Sequence, residues 1–262
     1  MSQPRQILLF CLIAYGFAWS YWLWMLAQGH MVYPGSPYSH LPGLMGPMIA
    51  ALVVTALTEG RAGLADLGRR MLRWPERPGF FLAALAMPPV LAALVFGVQA
   101  LRGTPLPPWQ DFAAYPGLPP GYGPWGLIGV LVLNGYGEET GWRGWLFDKL
   151  QPVRSRFAAG LIVAVIWMVW HAPLFLINAT MTVLIGPVLL GWMFGLAMGS
   201  FVLAHVYRFT GRSIGAVVLW HVIYNFCVAT VATSGLVAAV VSTAVMLWGA
   251  IVAVQWARAR PT

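Results

Sequence analysis

Apolar residues occupy this chain in long blocks separated by short polar stretches. Eight blocks approach the roughly 20 residues that cross a bilayer at about 1.5 Å rise per residue. They cover residues 7–27, 44–58, 79–101, 125–150, 157–177, 183–207, 213–231 and 236–256. The second is short and is expected to be tilted or partly buried. Residues 59–78 are basic, with apolar positions at Leu64, Leu67, Met71, Leu72 and Trp74. That stretch fits an interfacial amphipathic helix or a solvated positive loop. Residues 102–124 contain seven prolines and read as an extended loop without regular structure. There is no internal repeat and no separable soluble block, so residues 1–262 are expected to form one domain. The first block is too long for a signal-peptide core and no small-x-small cleavage site follows it, so it is expected to stay as a helix.

Composition agrees with the blocks. The chain is 60% hydrophobic and 8% charged, against about 25% charged in soluble domains. A water-soluble fold could not hide so much apolar surface. The expected class is therefore all-α, a polytopic membrane protein with about eight transmembrane helices around an intramembrane polar cavity. The net charge of +8 does not indicate nucleic acid, because the cations are spread through short loops. With the amino terminus inside, the inner side carries Arg5, Arg61, Arg69, Arg70, Arg73, Arg77, Lys149, Arg154, Arg156, Arg208, Arg212, Arg258 and Arg260. That is thirteen of the fifteen basic residues. Only Arg102 falls outside, and Arg143 lies within a block. This asymmetry predicts a multi-pass protein of the cell (inner) membrane with a cytoplasmic N-terminus. The fourteen tryptophans are expected at helix ends near the interface. Cys11 and Cys227 lie in apolar blocks and offer neither a disulfide framework nor metal spacing.

Against this background the stretch Gly137-Glu138-Glu139-Thr140-Gly141-Trp142-Arg143 stands out. Two of only seven acidic residues sit side by side at membrane depth, where each charge costs roughly 2.5–3.5 kcal/mol on insertion scales. Glu139 and Arg143 are four apart on one helix face and can pair. Glu138 is turned about 100° away. It has no such partner, which suits it to handling protons. His171 follows Trp167 by four residues, and Pro173 is expected to free the Val169 carbonyl and bend the helix just beyond the histidine. His221 and Asn225 are again four apart and project together.

Counted from the inner ends, Glu138 lies about 18 Å deep, His171 about 21 Å, and His221 with Asn225 roughly 12–18 Å. Three blocks can therefore bring these groups to one cavity. Such a set suits water activation for attack on a carbonyl, with a glutamate base helped by a metal or a histidine. It also suits a proton or ion path through a transporter, or a hydrogen-bonded network in a non-catalytic scaffold. Spacing alone does not separate these. There is no Gly-x-Ser-x-Gly and no cysteine near the histidines.

Glu138-Glu139-x-x-x-Arg143, the aromatic-x-x-x-His ending at His171, and His221-x-x-x-Asn225 together resemble the three motifs of the CPBP family. These are the CAAX-protease and bacteriocin-processing intramembrane proteases, related to the Ras-converting endopeptidase. One departure is Trp167, where the family usually has phenylalanine. The resemblance implies Glu138 as the base that activates water, assisted by His171. It also implies His221 and Asn225 on the oxyanion side, with Glu139 and Arg143 shaping the site. The family label is metalloprotease, and Glu138, His171 and His221 could hold zinc with an open position for water. A metal-free glutamate mechanism stands equally, since no His-Glu-x-x-His signature occurs. Family members also include immunity proteins and scaffolds. Arginine, alanine and glycine are abundant beside a single lysine, as in a GC-rich bacterial genome. The expected substrate is therefore a membrane-associated protein or peptide rather than a prenylated one.

Overall fold

The computed structural model describes residues 1–259; Arg260, one of the expected inner-side cations, lies outside them. All eight apolar blocks are helical. Among the described residues, six helices are long and apolar enough to cross a membrane: α1 (Gln3–Ala27), α2 (Gly46–Leu72), α3 (Pro78–Leu101), α8 with α9 (Arg156–Trp170 and Leu174–Ile177), α11 (Val188–Phe209) and α13 (Leu236–Arg258). The seventh, α12 (Ile214–Val228), is shorter. The eighth is a helical run assembled from α5 (Gly123–Val130), α6 (Gly137–Gly141) and α7 (Asp148–Leu150). Two π-helical stretches, Leu131–Tyr136 and Trp142–Phe147, join its parts. Two minor helices, α4 (Trp109–Ala113) and α10 (Ala179–Thr182), lie in connections.

Local chemistry explains several boundaries. Ser155 and Ser213 cap α8 and α12 by accepting from the amides of Ala158 and Ala216 at 3.2 and 3.1 Å. Proline opens α1, α2 and α3 within the first turn, where its missing amide hydrogen is no loss.

Two expectations about connections change. Residues 59–78 are not a loop: α2 is two helical segments joined across a kink at Gly60, and the second runs on to Leu72. Gly60 makes the kink with a φ of 63°, which only glycine adopts cheaply. Burial of Leu67 and Arg70 holds this extension against the bundle. The proline-rich residues 102–124 also form more than an extended strand of chain. They include α4, and the carbonyls of Asp111 and Ala114 accept from Ala232 and Val231 at 3.2 Å each.

The bundle inverts the pattern of a soluble protein. Leu94, Leu190 and Leu247 are 61%, 70% and 62% exposed, while Glu139, Thr140 and Arg143 are wholly buried. That distribution suits a lipid solvent, in which buried polar groups must satisfy one another. Tryptophan departs from expectation. Trp24, Trp74, Trp109 and Trp125 are exposed, yet Trp22, Trp142, Trp170 and Trp220 are core residues. Trp170 meets Trp22 and Trp142 edge-on at 4.9 and 5.5 Å, the arrangement that ring quadrupoles favour.

The cations collect at one end, as the loop pattern predicts. There Arg70 bonds Asp66 at 2.8 Å, the Gly144 carbonyl at 2.6 Å and the Tyr207 hydroxyl at 2.8 Å. Lys149 pairs with Glu59, and Arg212 with Asp148. Arg73 donates to the Gly211 carbonyl at 2.8 Å. Arg102 lies at the far end of α3, about 36 Å away along a 24-residue helix.

Candidate active site

The site is built from two helices laid side by side. Along the run from 123 to 150, Asn134, Glu138, Glu139 and Arg143 form two polar pairs four residues apart. Asn134 Nδ2 donates to Glu138 Oε1 at 2.6 Å, and Arg143 Nη1 donates to Glu139 Oε1 at 2.9 Å. Along α12, His221 and Asn225 meet that ladder rung by rung. His221 Nδ1 lies 2.6 Å from Glu139 Oε1, and Asn225 Nδ2 donates to Asn134 Oδ1 at 2.8 Å. Two i,i+4 pairs thus interlock across one helix contact.

The close approach of α2 depends on missing side chains. A Cβ on Gly137 would lie 2.7 Å from the Leu44 carbonyl oxygen, and one on Gly141 would overlap the Pro47 backbone. Glu138 and Glu139 are consequently held deep in the bundle. The π-helical turns on both sides of α6 belong to a rare backbone form that often marks functional positions.

The third helix brings an indole and an imidazole. Trp167 Nε1 donates to Glu138 Oε2 at 2.6 Å, so both oxygens of that carboxylate accept a hydrogen bond. Glu138 has no ion-pair partner, as expected, and accepts instead from two neutral donors. The Arg143 guanidinium lies 4.3 Å from the Trp167 ring centroid, a cation–π contact inside the protein. Trp167 also sits between the two histidines, 5.5 Å from the His171 ring and 5.8 Å from the His221 ring. The helix ends at Trp170 rather than just beyond His171, and the Val169 carbonyl is taken by the Ala172 amide at 3.0 Å.

The hydrogen bonds specify the histidine tautomers. His171 Nδ1 is 2.7 Å from the Trp167 carbonyl, which can only accept, so Nδ1 carries the proton. Glu139 Oε1 accepts from Arg143 Nη1 and lies 2.6 Å from His221 Nδ1, which is likewise the donor to a carboxylate oxygen. In each neutral ring Nε2 then holds the lone pair.

Glu138, Trp167, His171, His221 and Asn225 line one cavity of about 740 Å³. Glu139 and Arg143 do not reach its wall and lie wholly buried behind it. Of the six residues expected at the site, four therefore face the cavity and two support them. Most of the remaining wall is apolar, with Trp192 and Leu196 of α11 and Met246 of α13 among its residues.

Several contributors were not foreseen. Asn134 had a usable signal, being the polar residue four positions before Glu138 in an otherwise apolar run. Trp167 was recognised as an aromatic neighbour but not as a donor to Glu138. Tyr115 and His40 come from connections, where no periodicity points to a cavity. Tyr115 Oη lies 3.4 Å from Asn225 Nδ2. Burial pushes the His40 imidazole down to about 4, so it faces the cavity as a neutral ring.

For a metal, the donor chemistry is suitable but the placement is not. Each imidazole has an anchored Nδ1–H and an Nε2 lone pair, the usual outer-shell arrangement of a ligating histidine. Among the described residues, however, no three His, Cys, Asp or Glu side chains are gathered at ligand spacing.

The motif residues of the site fall within a match to known proteins. The family model for type II CAAX prenyl endopeptidases, Rce1-like, matches residues 120–227, which include all six expected site residues. CAAX prenyl protease 2 of Methanococcus maripaludis is 28% identical over 145 residues, covering 53% of this chain. The chain spans about half, 50%, of that relative's length. With the three motifs gathered at one cavity and the family model matched across them, residues 120–227 are similar to the Rce1-like CAAX prenyl endopeptidases.

Proposed function

We propose that this protein is an intramembrane endopeptidase that hydrolyses a peptide bond of a membrane-associated protein or peptide. One observation carries the proposal: a carboxylate held by two N–H donors, two imidazoles and a carboxamide share the wall of one cavity inside the bundle. Glu138 takes a proton from water while His171 Nε2 accepts from the same water and aims it. The water oxygen bonds the carbonyl carbon, and negative charge collects on the carbonyl oxygen. Asn225 Nδ2 donates to that oxyanion. His221, held at Nδ1 by Glu139 Oε1, stands beside Asn225 on the oxyanion side. As the C–N bond breaks, Glu138 returns the proton to the leaving amine.

The donor spacing favours this glutamate mechanism over one built on zinc, so no step is routed through a metal. The basic end of the bundle supports a cytoplasmic N-terminus in a multi-pass membrane protein. The relative's name concerns prenylated substrates, whereas a general membrane peptide suits this cavity without requiring a prenyl group.

The test compares membrane-associated peptides from cells carrying wild-type protein or Glu138→Ala at equal abundance. A fragment that depends on Glu138 is expected, and it identifies the substrate. No difference across several growth conditions would favour a scaffold or a proton-coupled transporter, in which the polar ladder only joins helices. Metal analysis of the active preparation is expected to find less than stoichiometric zinc, with chelators leaving the rate unchanged. One tightly held zinc per active chain would replace the glutamate mechanism.

A further inference from the structure

We infer that Asn134 is a positioning residue that sets the Glu138 carboxylate and the Asn225 carboxamide at once. The inference rests on the proposed hydrolytic function and adds a residue outside the three motifs. Asn134 is buried, 4% exposed, and both ends of its amide are engaged. Nδ2 gives a hydrogen to Glu138 Oε1 at 2.6 Å, and Oδ1 takes one from Asn225 Nδ2 at 2.8 Å. These two bonds admit only one orientation of the Asn134 amide, because a flip would set its oxygen against a carboxylate oxygen.

The same bonds determine the state of Asn225. Its Nδ2 must face Asn134 Oδ1, so one of its two hydrogens is committed there. The second stays on the cavity side, where Tyr115 Oη stands at 3.4 Å, too long for a strong bond. Substrate can therefore claim that hydrogen for the oxyanion without breaking the Asn134 contact. Glu138 gains in parallel. Trp167 restrains one carboxylate oxygen and Asn134 the other, so the plane of the group is held from two helices. A base and an oxyanion donor that must act on opposite sides of one carbonyl are thus set by a single amide.

A residue in this role acts on kcat. Asn134 also lines the cavity, so a replacement of similar size keeps the wall filled but lets the base and the donor rotate. The experiment uses proteoliposomes and a fluorogenic peptide carrying the bond that wild-type protein cleaves in cells. Asn134→Leu, nearly the same size, is expected to lower kcat about 10- to 100-fold with KM changed less than about threefold. Asn134→Gln, which keeps donor and acceptor, should recover several-fold over the leucine variant. Asn134→Leu combined with Asn225→Leu should be about as slow as Asn225→Leu alone, since both break one unit. Equal melting temperatures confine these effects to catalysis.

Wild-type kcat in Asn134→Leu, or a double-variant loss equal to the product of the single losses, would overturn the inference and leave the hydrolytic function standing. Melting temperatures of both Asn134 variants falling in step with their activity would also overturn it, making Asn134 a packing residue. No cleavage by wild-type protein would instead remove the hydrolytic function and this role with it.

Discussion

Glu138→Gln is expected to reduce kcat by about a thousandfold while leaving the protein folded and KM nearly unchanged. Proton transfer by a positioned base contributes typically about 10²–10⁴ to an enzyme rate. The glutamine has the same shape, and its carbonyl oxygen can still accept from Trp167 or Asn134. What disappears is the capacity to take a proton from water and return it to the amine. The measurement is steady-state cleavage of the identified peptide in proteoliposomes, with a melting curve of each protein alongside. Full activity in Glu138→Gln would end the proposal that this carboxylate is the base. A parallel fall in activity and melting temperature would instead make Glu138 a structural bond acceptor.

Arg143→Met should produce the second large effect, on stability first. Arg143 and Glu139 are both wholly buried, 2.9 Å apart, and Arg143 covers the Trp167 ring. Truncating one partner of a buried ion pair leaves an uncompensated charge and costs about 3–5 kcal/mol. Methionine fills most of the volume and packs acceptably on an aromatic face, so the loss reports mainly on charge. For a protein of this size that cost corresponds to a melting temperature lower by on the order of 10 °C. Removing both charges, as in Glu139→Met with Arg143→Met, should restore much of the stability, because apolar replacement of a whole buried pair is often neutral. Activity should remain low in the double variant, since His221 Nδ1 has lost its acceptor. A melting temperature within about 2 °C of wild type for Arg143→Met would show that the pair is solvated rather than buried.

Together the two experiments separate the two acidic neighbours. Glu138 faces the cavity and is expected to govern rate. Glu139 lies behind it and couples the stability of the bundle to the orientation of His221. Sequence adjacency makes the pair look like a dyad, but a helical offset of about 100° sends the carboxylates to different partners.

Much of this was legible in the chain because a bilayer imposes strict rules. Helices are the only open-ended way to satisfy a backbone in lipid, so apolar length predicts each spanning element. The clustering of cations at one end follows from loop arginines, and the residues at the cavity from spacings of four on helices. What was misjudged depended on contacts that no local pattern contains. The packing of the helical segment beyond the Gly60 kink depends on Leu67 and Arg70 finding a buried place. The core tryptophans were assigned to the interface because composition cannot distinguish a ring packed in the core from one at a headgroup.

By itself, the sequence determined the helical class, the polarity of the bundle and the six residues of the motifs, since these follow from hydropathy and helical period. Only the tertiary structure decided which of those residues meet the cavity, that Glu138 accepts from Asn134 and Trp167, and that both histidines engage an oxygen through Nδ1. Each of these depends on an atom contributed by a separate turn or helix. Hydrogen-bond direction at a site is settled by what stands across from a side chain, not by its neighbours along the chain.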